Sequence, residues 1–209
     1  MTLTEQRDST PRNGVTDVDH ILVMVSIVIG LGVTKFLTDL VDLINYIDYT
    51  QIYIPQALWS IMSFILMLHF WWAMLHYYEQ AESNNLTPIN YAMLMISVIF
   101  LCLTCELGLP ATTEHIVKIN LEDYFETVSP WFFLFLSLYL GFGLIQRYQL
   151  LGINLGDPSN RIRYIALGYA ILVFAISVVG FNNIRLQITL AIIPYLLFII
   201  HFRSNPGER

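Results

Sequence analysis

Charged side chains set inside apolar stretches are the residues of this sequence best placed to do chemistry. Lys35, Asp39 and Asp42 stand together in one such stretch and Glu106 near the end of another. On a helix, spacings of i, i+4 and i, i+3 put the first three on one face, where amine and carboxylates partly neutralise one another. That face must look into a helix bundle or toward water. Glu106 falls at a depth comparable with Lys35 and Asp39, so a Lys35–Glu106 or Lys35–Asp39 contact is expected. An ionisable group in mid-bilayer costs about 2.5–3.5 kcal/mol on insertion scales, so each needs a reason to be there. Two reasons compete: an ion pair that fixes helix packing, or a pathway for protons or cations.

A second group is His69, Trp72 and His76, spaced by three and four so that they share a helical stripe, with Glu79 one further turn on. Two histidines seven residues apart on one face suit a proton relay, a haem or metal ligand pair, or a pH sensor. Trp71, Trp72, Tyr77 and Tyr78 surround them near a predicted membrane boundary, where aromatic belts are ordinary. The stripe is therefore read first as belt plus hydrogen-bonded histidine, and no resident cofactor or metal is expected.

Other motifs point away from catalysis. Gly30-Leu31-Gly32-Val33-Thr34-Lys35 faintly resembles a phosphate loop, but it lacks the full glycine pattern and a strand before it. Close helix packing explains those glycines, and Gly141, Gly143, Ala166, Gly168 and Ala170 suit small-residue contacts between helices or protomers. Cys102 and Cys105 have CxxC spacing without the electropositive, accessible setting that activates a thiol. No metalloprotease motif, nucleophile elbow, Walker loop, repeated-arginine sensor or potassium-filter sequence occurs, so an enzyme is not expected.

The elements that must position these residues are set by composition. Of the 209 residues, 56% are hydrophobic and 12% charged, against the roughly 25% charged residues of soluble domains. Such a chain cannot cover itself with a polar surface, so the lipid bilayer is its expected partner. A span needs about 20 apolar residues, and six windows approach or meet that, near 20–44, 55–78, 89–109, 130–150, 163–181 and 184–202. The fold class expected is all-α, a transmembrane bundle of six helices over 19–203, with a flexible tail over 1–18 and a short tail over 204–209. Helix starts are signalled by Thr16, by Pro55 and Pro88, and by Ser129 before Pro130. Pro110 closes the third helix, Pro194 should kink the sixth, and the fifth and sixth are joined tightly enough to form a hairpin.

Between the third and fourth helices, Val117, Leu121, Tyr124, Phe125 and Val128 recur at helical spacing, with acidic residues mostly opposite. The segment 111–129 is expected to be a short interfacial amphipathic helix, its stronger half capped by Asn120 with Asp123.

Net charge and its distribution give orientation and exclude one partner. The formal charge of −6, with no Lys/Arg run, argues against nucleic acid. With the N-terminus inside, Arg7, Arg12, Arg147, Arg161, Arg163, Arg203 and Arg209 lie on the inner side. Only Lys118 and Arg185 lie on the outer side, and seven against two favours both termini in the cytoplasm. The N-terminal stretch lacks the basic-then-apolar pattern of a secretory signal, so the first helix is expected to stay in the mature protein.

Three segments carry a resemblance: Val25 to Thr34, His69-Phe70-Trp71-Trp72-Ala73, and Leu121-Glu122-Asp123-Tyr124-Phe125 followed by Trp131-Phe132-Phe133. Together they resemble a family of small, functionally uncharacterised bacterial six-helix membrane proteins. The resemblance implies a bacterial inner-membrane protein and supplies no reaction, ligand or site residue.

These readings lead to one functional expectation and two alternatives. A homo-oligomeric channel or channel-like effector is expected, since small channels need several protomers to enclose a pore. A soluble regulatory partner in a stress or antiviral-defence unit is its conceivable gate. The alternatives are a non-conducting scaffold, and a haem or quinone protein using His69 and His76.

Overall fold

The computed structural model describes residues 13–81, 88–110, 119–151, 161–180 and 184–204. Among these the protein is all-helical: α1 (Asn13–Asn45), α2 (Ile54–Ala81), α3 (Pro88–Glu106), α4 (Leu121–Leu151), α5 (Arg161–Val179) and α6 (Ile184–Ser204). A single 3-10 turn covers Ile47–Tyr49. Two strands of two residues, β1 (Thr50–Gln51) and β2 (Ile119–Asn120), pair in parallel.

Four helices contain windows long and apolar enough to cross a membrane: Leu22–Asn45, Ile54–Met74, Leu121–Gln146 and Arg161–Val179. Two more apolar stretches are shorter, Tyr91–Glu106 and Ile184–Ile200. Large apolar side chains cover the outside as well as the inside, for example Ile27, Leu31, Val41 and Ile44 on α1 and Ile165, Leu172 and Val179 on α5. A surface of this kind is stable only against hydrocarbon or another protein, so the chain is a membrane protein.

Two apolar clusters form the interior. One gathers Phe36, Met67, Val98 and Leu101 from α1, α2 and α3. The other gathers Trp59, Phe133, Val173 and Ala191 from α2, α4, α5 and α6. Half-buried Leu43, Leu66 and Tyr139 touch both clusters. In lipid, apolar burial alone does not drive helices together, so close contact and hydrogen bonds must hold them. Gly32 supplies one such contact, because a Cβ there would meet Met67 Cε at 3.0 Å and Cys102 Sγ at 3.1 Å. Stacked Phe36 and Phe64 rings at 4.8 Å add another between α1 and α2.

Several segment expectations change. The tail expected over 1–18 is already helix from Asn13, and residues 1–12 lie outside the described set, as do 205–209. No separate interfacial helix exists over the described part of 111–129: Leu121 begins α4, which runs unbroken to Leu151 with Pro130 inside it. Leu121 and Phe125 belong to the buried core rather than to a headgroup surface. Ser129, expected as a cap, instead offers its hydroxyl to the Glu126 carbonyl at 3.5 Å, the acceptor that Pro130 has no N–H to reach. The cap at the true start is the expected one. Asn120 Oδ1 accepts from the Glu122 amide at 3.1 Å, and its Nδ2 donates to Asp123 Oδ2 at 2.8 Å. Residues 111–118 lie outside the described set.

Candidate functional site

The C-terminal end of α3 is where the polar groups of this molecule converge. α3 stops at Glu106, and the chain turns through Leu107, Gly108 and Leu109, which face inward. Carbonyls released from a helix at membrane depth need internal donors, and side chains of the neighbouring helices provide them. Ser60 Oγ donates to the Gly108 carbonyl at 2.5 Å and Gln56 Nε2 donates to it at 3.1 Å. Tyr124 Oη reaches the Leu109 carbonyl at 3.1 Å and the Leu107 carbonyl at 3.4 Å. Below this layer Cys105 Sγ lies 3.6 Å from Ser63 Oγ. Both cysteines are free thiols and Cys105 is buried, in keeping with a structural role.

Against this end lies the charged cluster. Lys35 Nζ donates to Asp39 Oδ1 at 2.5 Å, and Glu106 Oε1 stands 3.6 Å from the same nitrogen. One amine thus bridges a carboxylate on its own helix and one at the end of α3. Both contacts expected from the spacing are made. Their surroundings differ: the Asp39 side chain is 6% exposed, whereas those of Lys35 and Glu106 are 43% and 46% exposed. The face expected to look into the bundle or toward water does the first through Asp39, and the amine and Glu106 open onto the flank shared by α1 and α3. Lys35 lies near the middle of the apolar window Leu22–Asn45, about 15 Å from its end at 1.5 Å per residue. Asp42 is half-buried one turn further along.

The same flank carries a line of small residues. Among the described residues, no atom of another element lies within 4 Å of where a Gly30 Cβ would be. Thr34 and Thr38 follow at four-residue intervals, each donating its hydroxyl one turn back along α1, to the Gly30 and Thr34 carbonyls. Of the paired glycines in α1, Gly32 and not Gly30 is packed closely among the described residues.

A half-open cavity of about 160 Å³ forms the other feature, lined by α2, α4, α5 and α6. His69 lines it, packed edge-on against Phe198 with ring centroids 5.4 Å apart.

Compared with family models, with curated proteins and with solved structures, the chain matches none. Its functional reading therefore rests on geometry.

Of the His69, Trp72, His76 stripe, two side chains are described. His69 is half-buried toward α6, whereas Trp72 is 50% exposed. The His76 side chain lies outside the described set. Among the described residues no group of three or more His, Cys, Asp or Glu side chains is placed to hold a metal ion.

Three contributors escaped the sequence reading: Gln56 and Ser60, which look like ordinary residues of an apolar helix, and Tyr124, read as part of an interfacial face. At the same end Tyr53 donates its hydroxyl to Gln187 Oε1, tying the start of α2 to α6. Burial, with the Glu122 and Glu126 carboxylates, pushes that hydroxyl up to about 12, so it stays a neutral donor.

Proposed function

We propose that this chain is the protomer of an oligomeric membrane channel, without catalytic chemistry, in which Lys35, Asp39 and Glu106 line a path for protons or cations between protomers. The observation that carries the reading is the half-exposure of Lys35 and Glu106 on the flank of α1 and α3. Left against lipid, each charge would cost about 3 kcal/mol. Water or a neighbouring protomer on that flank removes the cost. The open Gly30 and the threonines beside it allow another helix to approach closely there. Formally the cluster holds two carboxylates and one amine, a balance that favours a cation over an anion.

The proposal includes six spans, with both termini on the cytoplasmic side of a bacterial inner membrane. Its topology rests on the seven-to-two split of Lys and Arg between the two sides, and a soluble partner remains the proposed gate.

Ion flux in proteoliposomes under a proton or potassium gradient tests this reading. Native protein is expected to dissipate the gradient, and Asp39→Asn and Glu106→Gln to change its rate or cation selectivity. Folded native protein that leaves both gradients intact would sink the reading. A second reading, a non-conducting scaffold, draws on the 2.5 Å Lys35–Asp39 contact, which neutralises most of the buried charge within one helix. It expects Lys35→Leu with Asp39→Ala to leave function unchanged.

A further inference from the structure

We propose that the cavity between α2, α4, α5 and α6 is a binding slot for one lipid with an anionic headgroup, its chain inside and its phosphate at Arg163. This is separate from the charged flank of α1 and α3 and from any conduction there.

The body of the slot is apolar. Trp59, Met62 and Leu66 line one wall, Leu136 and Leu140 another, and Ala170 with Leu197 a third. Along α2 the lining runs from Trp59 to His69, ten residues or about 15 Å. A slot of that length and a volume of about 160 Å³ suits a stretch of hydrocarbon chain. An apolar cavity of about 150 Å³ takes up a benzene-sized ligand and excludes water. In a bilayer, acyl chains are the apolar groups at hand to restore the dispersion contacts that an empty slot forgoes.

One end of the slot is different. Ile162 and Arg163, in the first turn of α5, line it beside His69, Tyr139 and Phe198. A guanidinium keeps its charge at every accessible pH and matches phosphate with paired donors. Positive charge at one end of an apolar slot complements an acidic amphiphile, and basic pockets between membrane helices bind such headgroups. Arg161 and Arg163 together set this end of the molecule apart from the outer end, where the described residues offer only Arg185.

The chain holds four tryptophans, and Trp59 is 3% exposed inside the slot while Trp71, Trp72 and Trp131 are exposed. Replacing those three by Phe leaves Trp59 as a reporter of what enters. The full chain is reconstituted in phosphatidylcholine vesicles and titrated with phosphatidylglycerol brominated in mid-chain, then with brominated phosphatidylcholine. Saturable quenching of Trp59 at low fractions of brominated phosphatidylglycerol, with several-fold weaker response to brominated phosphatidylcholine, is the result expected. Arg163→Gln should reduce that preference about fivefold, the effect of one basic residue at an anionic headgroup, and Arg163→Lys should restore most of it. Ala166→Phe, which fills the slot, should diminish quenching by both lipids. Equal quenching by the two lipids overturns the proposal, as does quenching that Ala166→Phe leaves unchanged. Displacement by a neutral quinone but not by unlabelled phosphatidylglycerol overturns it in favour of an uncharged amphiphile. If Arg163→Gln fails to fold, the comparison of the two lipids in the reporter protein decides.

Discussion

Asp39 is the residue on which the charged cluster depends. It is almost wholly buried, and the ammonium of Lys35 is in contact with its carboxylate. Removing only the amine strands a carboxylate, whereas removing both groups strands nothing. Lys35→Leu is therefore expected to cost about 3 kcal/mol, the low end of the range for broken buried pairs because Lys35 is half-exposed. Lys35→Leu with Asp39→Ala should recover most of that loss. Unfolding in a mild detergent–denaturant titration reads both, and equal destabilisation by the single and double variants would refute the coupling. At this scale the sequence was informative about charge and poor about neutral polar groups. A lysine in an apolar stretch announces itself, and its i+4 partner follows from helix geometry. Ser60 and Gln56 do not announce themselves, because the carbonyl they serve is exposed to them only where α3 ends, and that end is set by tertiary packing.

Helices were legible as helices wherever apolar residues ran for twenty positions, and less so where signals for starting one competed. Ser129-Pro130 is a sound start signal, yet α4 begins at Leu121, because Leu121 and Phe125 find buried partners that a helix on the membrane surface would forgo. The cap that operates is Asn120, so Asn120→Ala should destabilise by about 1 kcal/mol. Ser129→Ala, which loses only a weak contact to the Glu126 carbonyl, should cost less. Thermal melts of the two variants decide which residue starts the helix. α1 offers a second contrast. Gly32 is pressed against Met67 and Cys102, whereas Gly30 meets no other element among the described residues. Gly32→Leu is expected to cost about 1–3 kcal/mol through overpacking. Gly30→Leu should leave the melting of the single chain unchanged, and, if the proposed oligomer packs through this flank, should shift it toward smaller species in light scattering. The sequence grouped these two glycines because they are two residues apart, but on a helix that spacing puts them about 200° apart, facing different neighbours.

For the whole molecule, the contacts at one end constrain how the chain crosses the membrane. Parallel pairing of Thr50–Gln51 with Ile119–Asn120 brings the segment after α1 beside the segment before α4. Gln56 and Ser60, at the start of α2, meet the turn after α3, and Tyr53 meets Gln187 near the start of α6. The ends of α1 and α3 and the starts of α2, α4 and α6 thus share one end of the molecule. A chain that gathers them there and returns each time crosses an even number of times between its termini. Only four helices are long and apolar enough to span by themselves, because α3 and α6 carry shorter apolar stretches. The bundle makes up the difference for α3, since Ser60, Gln56 and Tyr124 satisfy carbonyls that an isolated short helix would leave open to lipid. Six crossings therefore predict a definite labelling pattern in a protein whose two native cysteines are first changed to Ser. Single cysteines at Asp48 and Arg185 should react from outside intact cells with a membrane-impermeant maleimide. Cysteines at Asn13 and Ser204 should react only after permeabilisation. Four crossings, with α3 and α6 dipping in and out on one side, would place some of these four sites on the opposite face and would also move the Arg163 end of the lipid slot away from the cytoplasmic leaflet.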